Sequence, residues 1–148
     1  MTRIHFYQLD GGLDAARQMV ARLVAAALPR RPDVLVRLPG ENLAPALAGE
    51  IRALCTEPLF IGAEVQGEPA ISLCWGDDPG HHHGLLVNLA ADTPRWFGRF
   101  EQLAELIFDH PGLIEHRRHA FRFYRERGYP LHFHDLTQTG ERDLPLWP

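Results

Sequence analysis

A strand pattern, a helix pattern and a second strand pattern follow one another in the first 38 residues, and together they admit few folds. Arg3-Ile4-His5-Phe6-Tyr7-Gln8-Leu9 is rich in β-branched and aromatic residues, and Asp10-Gly11-Gly12 behind it is a turn signal. From about Leu13 to Leu28 apolar residues recur at 16, 19, 20, 23, 24 and 27, a helical stripe closed by Pro29 and Pro32. Asp33-Val34-Leu35-Val36-Arg37-Leu38 is nearly continuous in apolar side chains, as strands covered on both faces are. Strand, helix and strand at this spacing make a right-handed crossover between parallel strands, so an α/β fold is expected.

The remaining patterns extend that unit. Glu41 to Leu54 reads as a helix on Leu43, Leu47, Ile51 and Leu54, whereas Pro58-Leu59-Phe60-Ile61 has no clear assignment. Ala70 to Trp75 and Gly84 to Leu89 read as strands around a loop that contains Gly76-Asp77-Asp78-Pro79-Gly80. Pro94 and Trp96 open a run in which Phe97, Phe100, Leu103, Leu106 and Ile107 share a helical face, and a second helix is expected from Leu113 to Arg127. Gly128 suits the position after that helix, and Leu131 to Leu136 alternates as a closing strand. The order βαβαββααβ predicts one three-layer α/β/α domain over residues 1–148, with a mixed, largely parallel sheet.

Composition removes several functions. All 15 basic residues among the 148 are arginine, so a P-loop lysine, a pyridoxal Schiff base and a lysine aldolase are excluded. Arg-, Ala-, Gly- and Pro-rich usage across the chain makes a genomic bias the ordinary source of that absence. The longest apolar run, Leu23 to Leu28, is far below the roughly 18 residues of a membrane span, and no signal-peptide pattern precedes it. A cytoplasmic protein without membrane contact is expected. Cys55 and Cys74 lie in apolar contexts without a CxxC pair, which predicts reduced core thiols.

Local constellations carry little chemistry. His81-His82-His83 has no Cys, Asp or Glu at ligand spacing, and adjacent side chains diverge on a loop, so surface histidines without a metal are expected. His132 and His134 share one strand face, but Ser72 and Cys74 lie in an apolar strand pattern without a GxSxG elbow. Gly11-Gly12 lacks the GxGxxG of a dinucleotide site, and Arg37 stands near the end of strand two where an acidic residue would bind ribose. No catalytic residue and no cofactor is therefore predicted.

The arginines are concentrated instead. Residues 117–127 hold Arg117, Arg118, Arg122, Arg125 and Arg127 against Glu126 alone, an excess of four positive charges in a chain of net charge −4. At helical spacing Arg118, Phe121, Arg122 and Arg125 form one stripe, with Leu113, Ala120, Phe123 and Tyr124 nearer the opposite face. Guanidinium groups beside an aromatic ring suit a carboxylate-bearing peptide with an apolar anchor. A solvated face whose arginines complement the helix dipole would share the same spacing.

Ile4-His5-Phe6-Tyr7, Phe100-Glu101, Arg117-Arg118 and above all Phe123-Tyr124-Arg125-Glu126-Arg127-Gly128-Tyr129-Pro130-Leu131 resemble the chi subunit family of bacterial DNA polymerase III. The resemblance spans essentially the whole chain. It implies a Rossmann-like accessory protein of the clamp-loader assembly, active in DNA replication and without catalysis of its own. It further implies binding of the acidic, phenylalanine-terminated tail of single-stranded-DNA-binding protein, with DNA reached only through the complex. By position, Arg118 would hold the terminal carboxylate, while Ile107, Phe121, Tyr124 and the approach near Gly128 would line the apolar pocket. Arg122 and Arg125 would attract the upstream acidic residues. Phe121 stands where the family often has tyrosine, so one hydroxyl is missing. Phe60 aligns with an aromatic used for a second partner, the psi subunit or a repair helicase, although Cys55 replaces a common tryptophan there. The alternative on residues alone is a small Rossmann-like enzyme that uses a metal or nucleotide at the histidine loop or the Gly11-Gly12 turn. Direct nucleic-acid binding by the arginine helix is disfavoured by the overall negative charge.

Overall fold

The computed structural model describes residues 1–30 and 33–139; Pro32, one of the two expected helix stops, and the last nine positions of the expected 1–148 domain lie outside them. Its elements are β1 (Arg3–Gln8), α1 (Leu13–Ala27), β2 (Val34–Arg37), α2 (Ala44–Arg52), β3 (Leu59–Gly62), β4 (Ile71–Cys74) and β5 (Leu85–Asn88). They are followed by β6 (Gln102–Ile107), α3 (Leu113–Glu126), β7 (Leu131–Asp135) and the short α4 (Leu136–Thr139). The strands form one sheet in the order β3-β4-β2-β5-β6-β1-β7, and every pair is parallel, without the antiparallel member that a mixed sheet would have.

Alternation along the strands builds the three layers. On β1, Tyr7 belongs to the core shared with α1 and α2, while Ile4 and Phe6 belong to the core that includes Ala120 and Tyr124 of α3. β4, β5 and β6 are buried along their whole lengths, as the inner strands of a parallel sheet covered on both faces must be. β3 and β7 are the two edges.

The helix expected after Pro94 is not formed. A 3-10 turn at Phe97–Arg99 leads instead into β6, which lies between β5 and β1. A strand covered on both faces is apolar at odd and even positions alike, so Leu103, Leu106 and Ile107 imitate a helical stripe. The two polar residues of β6 face neighbouring side chains, Gln102 meeting His5 at 2.9 Å and Glu105 accepting from Asn88 Nδ2 at 2.7 Å. The unassigned Pro58–Ile61 segment supplies the edge strand β3, which pairs with β4.

The histidine loop also departs from expectation. His83 is exposed, but His82 is fully buried between β2 and β4. With its proton on Nδ1 donated to Asp33 (3.1 Å), its Nε2 accepts from the Ser72 hydroxyl (2.7 Å). Burial pushes the Asp33 carboxyl up, yet hydrogen bonds from His82 and from the backbone N–H groups of Gly84 and His83 outweigh that and hold it at about 2. Gly84 is required at this approach, because a Cβ there would lie 2.7 Å from the Asp33 carbonyl oxygen. Ser, His and Asp thus adjoin, but Ser72 is fully buried and both His82 nitrogens are occupied, so the trio braces the fold.

A second histidine group ties the β7 edge to the sheet. His5 on β1 stacks against His132 and His134 and meets His134 Nε2 at 3.0 Å. Burial, opposed by the Gln102 hydrogen bond and aided by the neighbouring histidines, lowers the His5 pKa to about 4. The unfolded chain therefore takes up this proton first, and stability is lost as pH falls through 6.5 towards 4. His5 alone is expected to account for about 3 kcal/mol of that loss. Asp33 adds its own contribution below 3.8. Urea unfolding across this range checks the expectation: a constant midpoint refutes it, and His5→Asn should flatten the slope.

Candidate functional site

α3 begins after Gly112, which adopts φ +76°, and ends at Glu126; Gly128 beyond it, with a φ of +79°, makes the left-handed turn that releases the chain into β7. Leu113, Arg117, Ala120 and Tyr124 form its buried side. Arg117 is therefore not part of the basic surface, contrary to the reading that counted it there. It is 1% exposed, and its guanidinium donates to the carbonyls of Leu106 (2.8 Å), Ala91 (3.0 Å), Asn88 (3.2 Å) and Ala90 (2.9 Å). Glu105 lies 3.7 Å away as its counter-charge and also accepts from Tyr124 Oη at 2.9 Å. This buried network fastens α3 to the carboxyl ends of β5 and β6.

Fixing that side of α3 presents the next stripe to solvent. Arg118, Arg122 and Arg125 are exposed and Phe121 is half-buried. Beneath them is an open notch of about 560 Å³ between α3 and the β1, β6 and β7 strands. Phe6 and Ile107 line it from the sheet, Phe121 and Ile114 from α3, and Phe133 from β7. The Phe6 and Phe121 rings stand 5.4 Å apart, and the Arg125 guanidinium lies 5.9 Å from the Phe121 centroid. Arg118 pairs with Glu115 at 3.1 Å in an exposed contact of small energetic weight. Arg122 and Arg125 have no ion-pair partner among the described residues. The site can accordingly hold an apolar group in its floor and anionic groups at its rim.

The fold brings Ile107, Arg118, Phe121, Arg122 and Arg125 to this one notch. Tyr124 is fully buried against Phe6 and Glu105 and does not reach the wall, and Gly128 shapes the helix end without lining it. Phe6, Gln8, Ile114 and Phe133 line the notch and were not singled out from the sequence. Phe6 and Phe133 share a face because they are register partners on adjacent parallel strands, a pairing that neither strand's own pattern carries. Phe60 sits on the opposite edge strand, β3, half-buried with its ring over Gly62, where a Cβ would approach it to 2.7 Å. Cys74 is buried and its thiol pushed up to about 11 by burial and by Glu64, while Cys55 is half-buried. Among the described residues no helix is long and apolar enough to cross a membrane.

Residues 1–132 match the family described as DNA polymerase III chi subunit, HolC. The chain is also 34% identical over 141 residues to the DNA polymerase III subunit chi of Pseudomonas aeruginosa, covering 93% of this chain and 99% of that protein.

Proposed function

The chain belongs to the DNA polymerase III chi subunit family, non-catalytic accessory subunits of a replicative polymerase, and we propose that it is an adaptor that captures the acidic tail of single-stranded-DNA-binding protein. The supporting observation is the pairing of an apolar notch with the exposed Arg118, Arg122 and Arg125 in a chain whose net charge is −4. Arg118 holds the terminal carboxylate, because a planar guanidinium meets a carboxylate with two parallel hydrogen bonds. The terminal phenylalanine ring enters between Phe121, Phe6 and Ile107, and Arg122 and Arg125 draw in the acidic residues upstream. Across the sheet, the β3 edge and Phe60 contact a second partner, a psi subunit or a repair helicase, so that one clamp-loader subunit bridges coated template and polymerase. DNA is reached only through these proteins.

Titration of an acidic, phenylalanine-ended peptide tests the reading. Arg118→Ala is expected to weaken binding about tenfold, in line with the loss of a charge-assisted hydrogen bond. Removing the terminal phenylalanine from the peptide should cost more than removing any one acidic residue, and added salt should weaken the complex. Equal affinities of wild type and Arg118→Ala, within twofold, would overturn the assignment. Binding of single-stranded DNA by the isolated chain with the same Arg118 dependence would replace it by direct nucleic-acid recognition.

A further inference from the structure

We propose that Phe133, on the edge strand β7, is the residue that makes the notch select an aromatic terminal side chain over an aliphatic one. The inference rests on the peptide-binding reading above and concerns a residue that the arginine stripe does not include.

Four large apolar side chains are exposed among the described residues: Met1, Leu54, Ile114 and Phe133. Two of the four, Ile114 and Phe133, open into the same notch. Phe133 is 52% exposed although its register partner Phe6 is only 1% exposed. The difference lies in what covers them. Phe6 sits under α3, with the Phe121 and Tyr124 rings 5.4 and 6.0 Å away. Phe133 is one strand further out, beyond the helix, and makes no ring contact with another side chain among the described residues.

The result is an incomplete aromatic box. Phe6 is its floor, Phe121 one wall and Phe133 the other, and the position between the walls is open. An aromatic ring inserted there gains offset or edge contacts with three rings, contacts in which a flat π system exceeds an aliphatic chain of similar size. The charge pattern fixes the orientation of the occupant. Arg118, Arg122 and Arg125 all lie on the α3 rim, so the ligand's anionic groups run along the helix while its last side chain turns inward toward β7. An acidic peptide that ends in phenylalanine, the occupant of the reading above, meets both requirements.

Two acidic peptides that differ only in ending with Phe or Leu, titrated by fluorescence anisotropy against wild type, Phe133→Leu, Phe133→Ala and Arg118→Ala, test the proposal. Wild type should prefer the Phe peptide by roughly threefold to tenfold. Phe133→Leu should bring the two affinities within twofold, and Phe133→Ala should weaken the Phe peptide by about tenfold. Because the ring is half-exposed on an edge strand, both variants should keep the wild-type unfolding midpoint, which far-ultraviolet circular dichroism checks. If Arg118→Ala loses affinity while both Phe133 variants match wild type, this inference falls and the peptide reading stands. If wild type binds neither peptide, the reading itself falls and takes the inference with it. Concentration-dependent dimerisation of wild type that Phe133→Ala abolishes would seat a second copy of the chain in the notch and overturn the proposal.

Discussion

Replacing Arg117 with alanine is expected to lower the free energy of unfolding by about 3–5 kcal/mol, the range for removing one partner of a buried ion pair. The substitution strands the Glu105 carboxylate, itself fully buried, and leaves four carbonyl oxygens without their donor. Tyr124 and Asn88 still donate to Glu105, so part of its charge remains solvated by the protein. Burial and the adjacent Glu105 carboxylate raise the Tyr124 pKa, so its hydroxyl keeps its proton and stays a donor at all ordinary pH values. Lysine cannot substitute well, because one ammonium cannot reach carbonyls on Leu106, Ala91 and Asn88 in the directions a planar fork does. Denaturant unfolding of Arg117→Ala, Arg117→Lys and Glu105→Gln measures these terms. A loss below 1 kcal/mol in Arg117→Ala would mean that water replaces the guanidinium at little cost.

The double reversal Arg122→Glu, Arg125→Glu should reduce affinity for the acidic peptide on the order of 100-fold at low salt, because each change turns an attraction into a repulsion. The effect should sit mainly in the association rate and fade as salt rises toward 1 M, where the screening length is about 3 Å. Both residues are exposed and neither carries an ion pair among the described residues, so the fold should be unaffected. Stopped-flow association at several salt concentrations reads this out. A reduction that is equal at low and high salt would show that the arginines act through packing and not through long-range charge.

The helices α1 and α3 were legible from their apolar stripes, and the doubly covered β2, β4 and β5 from short apolar runs bounded by turn signals. α1 has its stripe and its turn signal, and α3 runs from Leu113 to Glu126 with Gly128 beyond it, one residue from its expected end. β6 was not legible, because its Leu103, Leu106 and Ile107 continue the spacing of Phe97 and Phe100 without an intervening turn signal and so imitate one helical face. α2 starts at Ala44, three residues later than its pattern, after a 3-10 turn at Glu41–Leu43, and Leu54 falls beyond its end and is 55% exposed.

Within the candidate site helical spacing listed the exposed arginines Arg118, Arg122 and Arg125, whereas the charge count over residues 117–127 also took in Arg117, which is buried. A helix position one residue from Arg118 is about 100° around the axis, and only the packing direction of α3 decides which of the two points inward. Once inward, Arg117 persists because β5 and β6 end where their carbonyls can receive it. The same reasoning removes Tyr124 from the notch wall and places it in the core.

Sequence alone determined the family, the α/β class and the basic face of α3, because these depend on residues near one another along the chain. Only the tertiary structure decided that β6 is a strand, that His82 is buried, and that Phe6 and Phe133 meet α3 across a notch. Those facts depend on pairs such as Phe6 and Phe133, separated by most of the chain, and a register between distant parallel strands leaves no trace in either strand's own pattern.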